Sequence, residues 1–98
     1  MDKSYQLSRL KGFDTTFVNA IKYYEDHSSS DRAQRFEDSV YDCIESIAKN
    51  PHSFQIRYKD IRAGIIRGFP YLILYRINES QNLIQFTRVV SQYQDWLE

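Results

Sequence analysis

Residues 69–77 read FPYLILYRI. Side chains alternate between the two faces of a strand. Leu72, Leu74 and Arg76 therefore share one parity, and Tyr71, Ile73, Tyr75 and Ile77 share the other. Positions 71–75 are apolar at both parities, which predicts a central strand covered on both faces. Pro70 carries no N–H and fits the start of such a strand. The flanking runs DIRAGIIRGF (60–69) and NLIQFTRVV (82–90) are also rich in Ile, Val and Phe. NESQN (78–82) between the second and third runs is a polar turn. Three strands, near 60–67, 69–77 and 82–90, are expected in an antiparallel meander.

A sheet covered on one face needs helices, and the first half of the chain supplies them. Phe13, Phe17, Ala20, Ile21 and Tyr24 recur at steps of three and four, one face of a helix over roughly 13–26. HSSSD (27–31) reads as a tight connection. There Ser28 and Asp31 have the spacing of a capping box. Ala33, Phe36, Val40, Cys43, Ile44 and Ile47 then form a second apolar stripe, with Asp38, Asp42 and Glu45 on the other side. This helix should end before Asn50-Pro51, because a residue preceding proline disfavours helical geometry. Ser4 to Leu10 supports a short first strand with Tyr5 and Leu7 on one face. The expected fold is α+β: an N-terminal strand and an αα-hairpin packed on a twisted antiparallel β-sheet, one domain over residues 1–98.

Composition narrows the function. Hydrophobic content of 42% and aromatic content of 15%, with three Gly and two Pro, fit a packed globule rather than disorder. Cys43 is the single cysteine, which excludes an internal disulfide and a multi-cysteine metal centre. It sits on the apolar helix face, where a buried thiol is expected. No apolar run reaches the ~18 residues of a membrane span. The N-terminal segment lacks the apolar core of a signal peptide, so the expected location is cytoplasmic, without contact with a membrane. Glycine-rich phosphate loops and Cys/His metal spacings are missing, and no metal, cofactor or small-molecule ligand is expected. His27 and His52 fall in connections and read as surface residues.

The formal net charge is zero, yet it is unevenly spread. Residues 14–45 hold three basic residues against eight acidic ones, a net of −5, while residues 49–90 hold seven against two, a net of +5. Such asymmetry suits an anionic partner for the basic half. Its cations are Lys49, Arg57, Lys59, Arg62, Arg67, Arg76 and Arg88. Strict alternation would place Arg88 with Ile84, Phe86 and Val90 on one face, which is anomalous because a buried cation is costly unless paired. Arginine forks suit phosphate and carboxylate alike.

The order and wording of these elements resemble the RelE/ParE toxin superfamily of bacterial toxin–antitoxin systems. The matching pieces are Tyr23-Tyr24-Glu25, Ala33 with Arg35-Phe36, Asn50-Pro51, Arg57-Tyr58, Asp60-Ile61-Arg62, and Phe69-Pro70-Tyr71 through Tyr75-Arg76-Ile77. Asp95 and Trp96 resemble the family's closing region, with Trp96 expected to clamp the core. The resemblance implies a growth-inhibiting toxin, of the kind found in plasmid stabilisation, neutralised by a cognate antitoxin. RelE-like members cut mRNA on the ribosome without a metal; ParE-like members inhibit DNA gyrase by protein binding. For a nuclease, Lys59, Arg62 and Arg88 would stabilise charge and Tyr93 would act as a late acid. Many relatives carry a histidine where this chain has Ser91, which does not titrate near neutral pH. The reading therefore leans to a ParE-like, non-enzymatic toxin with gyrase as target. The alternatives are a ribosome-dependent endoribonuclease and a degenerate antitoxin-binding member. The residues expected to meet target or antitoxin are Arg57, Arg62, Arg67, Tyr71, Arg76 and Arg88.

Overall fold

The computed structural model describes residues 4–93. Asp95 and Trp96 lie outside the described residues. The order is β1 (Gln6–Arg9), α1 (Lys11–His27), α2 (Ser30–Lys49), a 3-10 turn (Pro51–Ser53), β2 (Ile56–Tyr58), β3 (Ile61–Ile65), β4 (Tyr71–Asn78), a second 3-10 turn (Glu79–Gln81) and β5 (Leu83–Ser91). The five strands lie in the order β1-β5-β4-β3-β2. Strands β2 to β5 form the antiparallel meander, with β4 at its centre. β1 instead pairs with β5 in parallel, Gln6 opposite Leu83 through Arg9 opposite Phe86, so the sheet is mixed. A β1 that leads directly into a helix returning over the sheet has to enter in that direction.

The two helices cover one face. From α1, Phe13, Phe17, Ala20 and Tyr24 are buried; from α2, Ala33, Phe36, Val40, Cys43 and Ile47. They meet Ile73 and Tyr75 of β4 and Ile84, Phe86 and Val89 of β5 in one core. Burying each large apolar side chain is worth roughly 1.5–3 kcal/mol. Cys43 is the expected buried thiol, and burial pushes its pKa up to about 11. Helix and sheet come closest at Gly64, where an added Cβ would sit 2.9 Å from Ile47 Cδ1 and 3.0 Å from Cys43 Sγ. A smaller buried cluster of Ala63, Leu72, Leu74 and Val90 occupies the opposite parity of the sheet.

Three local expectations need correction. Ser29, not Ser28, caps α2: its hydroxyl accepts from the Arg32 N–H at 3.0 Å. The chain makes a short strand, β2, ahead of the meander, which the sparse apolar residues of 55–58 did not announce. The third concerns strand parity. Leu74 faces Arg88 but Tyr75 faces Phe86, leaving Thr87 as an extra residue in β5. The Thr87 hydroxyl donates to Leu74 O at 3.1 Å across this bulge. Beyond it the parity of β5 inverts, so Val89 joins the helix-side core and Val90 the opposite cluster. Arg88 is exposed and is not the buried cation that unbroken alternation implied.

Candidate functional site

β1 stops at Arg9, and the Leu10 N–H takes the Phe86 carbonyl at 3.0 Å. Past that point the outer edge of β5 has no neighbouring strand among the described residues. α1 runs beside it instead. Gly12 allows the approach, since a Cβ there would lie 3.0 Å from Thr87 O and 3.7 Å from Arg88 Cγ. One turn on, the Thr16 hydroxyl accepts the Val89 N–H at 2.8 Å while donating to Gly12 O at 2.7 Å. Between helix and edge lies an open cleft of about 330 Å3, lined by Thr16, Asn19 and Tyr23 of α1, Tyr71 of β4, and Arg88 and Ser91 of β5. Tyr71 and Ser91 are register partners at the end of the ladder.

The cleft combines one cation, two phenol rings, hydroxyls and an amide. Arg88 makes no hydrogen bond or ion pair among the described residues. Burial, and then the neighbouring Tyr23, raise the Tyr71 pKa, so its phenol remains protonated and can donate. Tyr23 is half exposed and stacks on His27 at 4.5 Å between ring centroids.

Of the residues singled out in the sequence, Arg88 and Tyr71 meet here and the others do not. Arg62 is half-buried on the helix-facing parity of β3, and its Nη1 donates to Phe54 O at 2.7 Å and His52 O at 3.2 Å. With the Tyr75 hydroxyl, which donates to Pro51 O at 2.6 Å, it pins the turn after α2. Arg76 is exposed on the other parity of β4, its Nε bonded to Gln85 at 3.0 Å. Arg57 is exposed on β2 at the far edge of the sheet. Lys59 sits in the β2–β3 turn at φ 52°, its ammonium 5.4 Å from the Tyr58 ring. Arg67 lines a separate cleft with Asp42 and Cys43 of α2. Tyr93 is 84% exposed, and its backbone N–H donates to Ser91 Oγ. His52 contacts Glu79, which also accepts from the Tyr5 hydroxyl at 3.3 Å.

Thr16, Asn19 and Tyr23 were not among the candidate site residues picked from the sequence, although Tyr23 was part of a matching piece. The signal was present: they recur at i, i+3 and i+7, a polar and aromatic stripe flanking the apolar one on α1. Among the described residues no group of His, Cys, Asp and Glu could hold a metal ion, and no helix is long and apolar enough to cross a membrane.

Comparison with known proteins adds to this geometry. The family model described as ParE toxin of type II toxin-antitoxin system, parDE, matches residues 11–96. No curated protein matches the chain. Among solved structures, a chain from the chromosomal ParDE toxin–antitoxin system of P. aeruginosa is similar, with a TM-score of 0.79 and 10% identity over 92% of this chain and 98% of that one. A chain from the RelBE2 toxin–antitoxin complex of Mycobacterium tuberculosis is similar with a TM-score of 0.62 and 12% identity, over 96% of this chain and 98% of that one.

Proposed function

The chain belongs to the ParE toxin family of type II toxin–antitoxin systems, and from that premise we propose that it inhibits DNA gyrase by binding it and is neutralised by a cognate antitoxin. The observation that carries the reading is the family match over residues 11–96. The two solved structures named above come from a toxin–antitoxin system and a toxin–antitoxin complex, which supports the antitoxin partnership. Gyrase acts on chromosomal DNA, so this activity belongs in the cytoplasm.

The placement of the nuclease candidates supports binding over catalysis. Metal-free cleavage of RNA needs a base, an acid and cations gathered around one phosphate. Here the Arg62 fork is committed to two backbone carbonyls. The Lys59–Asp60 turn opens beside Ile77 and Asn78, whereas Tyr93 lies beyond the Tyr71–Ser91 pair. Those ends of β4 are roughly 20 Å apart at ~3.4 Å per residue. A protein-binding toxin requires no such convergence.

The test pairs two assays on the purified toxin. Supercoiling of a relaxed plasmid by gyrase should fall as toxin is added, and antitoxin should restore it. Ribosome-bound mRNA should stay intact. Codon-defined cuts that vanish on Arg88→Ala, with supercoiling untouched, would overturn the gyrase reading in favour of ribosome-dependent cleavage.

A further inference from the structure

We propose that the Arg32 guanidinium and the Tyr24 hydroxyl, at the closed end of the αα-hairpin, form the receptor for a carboxylate side chain of the antitoxin. This rests on the toxin–antitoxin reading and not on the choice of gyrase as target.

Three observations lead to it. First, Arg32 is held in place yet unpaired. Its guanidinium carbon lies 4.6 Å from the Phe69 ring centroid and 5.7 Å from that of Tyr24. Tyr24, Phe36 and Phe69 pack together with centroids 5.2 or 5.3 Å apart, so the cation rests on a rigid aromatic base. Cation–π contact positions a guanidinium without using up its fork. Among the described residues the Arg32 side chain makes no hydrogen bond or ion pair. Eight acids lie in residues 14–45, but the described ion pairs are Arg9–Asp14, Lys49–Glu45 and His52–Glu79. The fork is therefore left open inside the most acidic part of the chain.

Second, Tyr24 supplies an unbonded donor next to it. Burial raises the Tyr24 pKa most, the Tyr71 phenol adds to that, and the Arg32 charge works against it. Guanidinium and phenolic oxygen are thus near neighbours, and the hydroxyl stays protonated. Tyr24 is only 8% exposed, and its hydroxyl has no hydrogen bond among the described residues. None of their fully buried side-chain N or O atoms lacks a partner, so this hydroxyl reaches solvent. The ring belongs to the core and its tip to the surface.

Third, the surroundings select a single carboxylate over a nucleic-acid backbone. Phosphodiester chains are held by rows of cations, often with stacked bases. The net charge of −5 over residues 14–45 repels such a polyanion. One fork matches one carboxylate bidentately, and the neutral phenol adds a donor without a competing charge. A cation already seated on Phe69 has little to rearrange when the acid arrives.

The test is calorimetric titration of the toxin with the full-length antitoxin encoded beside it. Tyr24→Phe removes an unbonded hydroxyl and keeps the ring, so it should melt like the wild type and bind about fivefold more weakly. Arg32→Glu should weaken binding about a hundredfold, and Arg32→Lys about tenfold because it keeps the charge and loses the fork. Replacing Arg32 also uncovers Phe69, so binding is measured well below the melting midpoint of each variant. Arg57→Glu makes the same charge change at the far edge of the sheet and should shift affinity less than threefold. Wild-type affinity in Tyr24→Phe, or Arg32→Glu within threefold of wild type, would overturn the proposal and leave Arg32 as a cap on the aromatic core. So would equal losses from Arg32→Glu and Arg57→Glu, which would mark a diffuse field. Loss of gyrase inhibition in Arg32→Glu with antitoxin binding intact would overturn it too, assigning the pair to the target. A wild-type toxin that binds antitoxin through Arg32 and Tyr24 but leaves gyrase active would overturn the proposed target and leave this site standing. A wild-type toxin that does not bind the antitoxin would overturn the toxin–antitoxin reading itself.

Discussion

Replacing Arg62 with alanine separates a structural role from a functional one. Arg62 was a candidate both for charge stabilisation and for target contact, yet its guanidinium bonds two carbonyls of the turn that follows α2. Hydrogen bonds from a charged donor are worth roughly 1.5–3 kcal/mol each. One of these is short and part-buried, at 2.7 Å; the other is longer and exposed, at 3.2 Å. Solvent replaces the exposed one at little cost, so Arg62→Ala should destabilise by about 2 kcal/mol. Urea unfolding followed by tryptophan fluorescence or circular dichroism should show the midpoint falling by roughly 1–2 M at an ordinary slope. Arg62→Lys should recover about half, since one ammonium reaches one carbonyl well and two poorly. The proposed inhibition of gyrase, normalised to folded protein, should not change. An Arg62→Ala toxin that keeps the wild-type midpoint but loses activity would refute the reasoning, because the side chain would then be meeting a target and not its own backbone.

Three further perturbations probe the helix–sheet packing. Thr16→Val leaves the Val89 N–H without its acceptor and should cost about 1–2 kcal/mol, while Thr16→Ser should cost less than half of that; equal stabilities would show that the hydroxyl does not hold the edge of β5. Gly64→Ala forces a Cβ to 2.9 Å from Ile47 Cδ1 and should cost roughly 1–3 kcal/mol. Ile47→Val removes that methyl, so a double-mutant cycle should show the pair less destabilised than the sum, and strict additivity would contradict the contact. Burial raises the pKa of Cys43 to about 11 and raises that of Tyr75, so the folded state holds both protons more tightly than the unfolded chain. Their stabilisation is complete below the unfolded values and is lost as pH climbs above about 9. The unfolding free energy should decline from there toward pH 11 and decline less steeply in Cys43→Ala; a flat profile would count against it.

Helices and central strands were readable because each depends on a periodic property. The stripe from Ala33 to Ile47 and the two-sided apolar run of β4 are the same features that the core uses. What escaped depends on single contacts. β2 has three residues, all exposed, and its pairing with β3 is not encoded in an apolar pattern. Both serines of the hairpin loop have capping chemistry, and backbone geometry decides that Ser29 makes the bond. The parallel direction of β1 follows from topology, which alternation in one strand does not report. Of the residues lining the candidate cleft, the sequence had singled out Tyr71 and Arg88, but it did not show the cleft. Its other wall comes from α1, more than forty residues away in sequence, and only packing brings the two together.

The bulge at Thr87 links these failures to function. In an unbroken ladder, Arg88 would take the parity of Phe86 and turn toward Phe13 and the helices, where a cation without a partner would cost several kcal/mol. One inserted residue puts Val89 in that place and turns Arg88 to the Leu74 and Val90 face, where it is exposed. The insertion breaks the ladder locally, and two hydroxyls offset the loss: Thr87 bonds Leu74 O on one side, and Thr16 receives the Val89 N–H on the other. Bulges serve to re-aim a side chain, and here the re-aimed group is a cation that makes no hydrogen bond or ion pair among the described residues. Deleting Thr87 should remove the bulge and its bond to Leu74 O but leave Arg88 outside and Val89 in the core, because Phe86, Arg88 and Val89 would then alternate with no extra residue between them. The loss should stay near the ~1 kcal/mol of one hydrogen bond. A loss of several kcal/mol in urea unfolding, the size expected for a buried unpaired cation, would show that Arg88 had turned inward and would refute the reasoning.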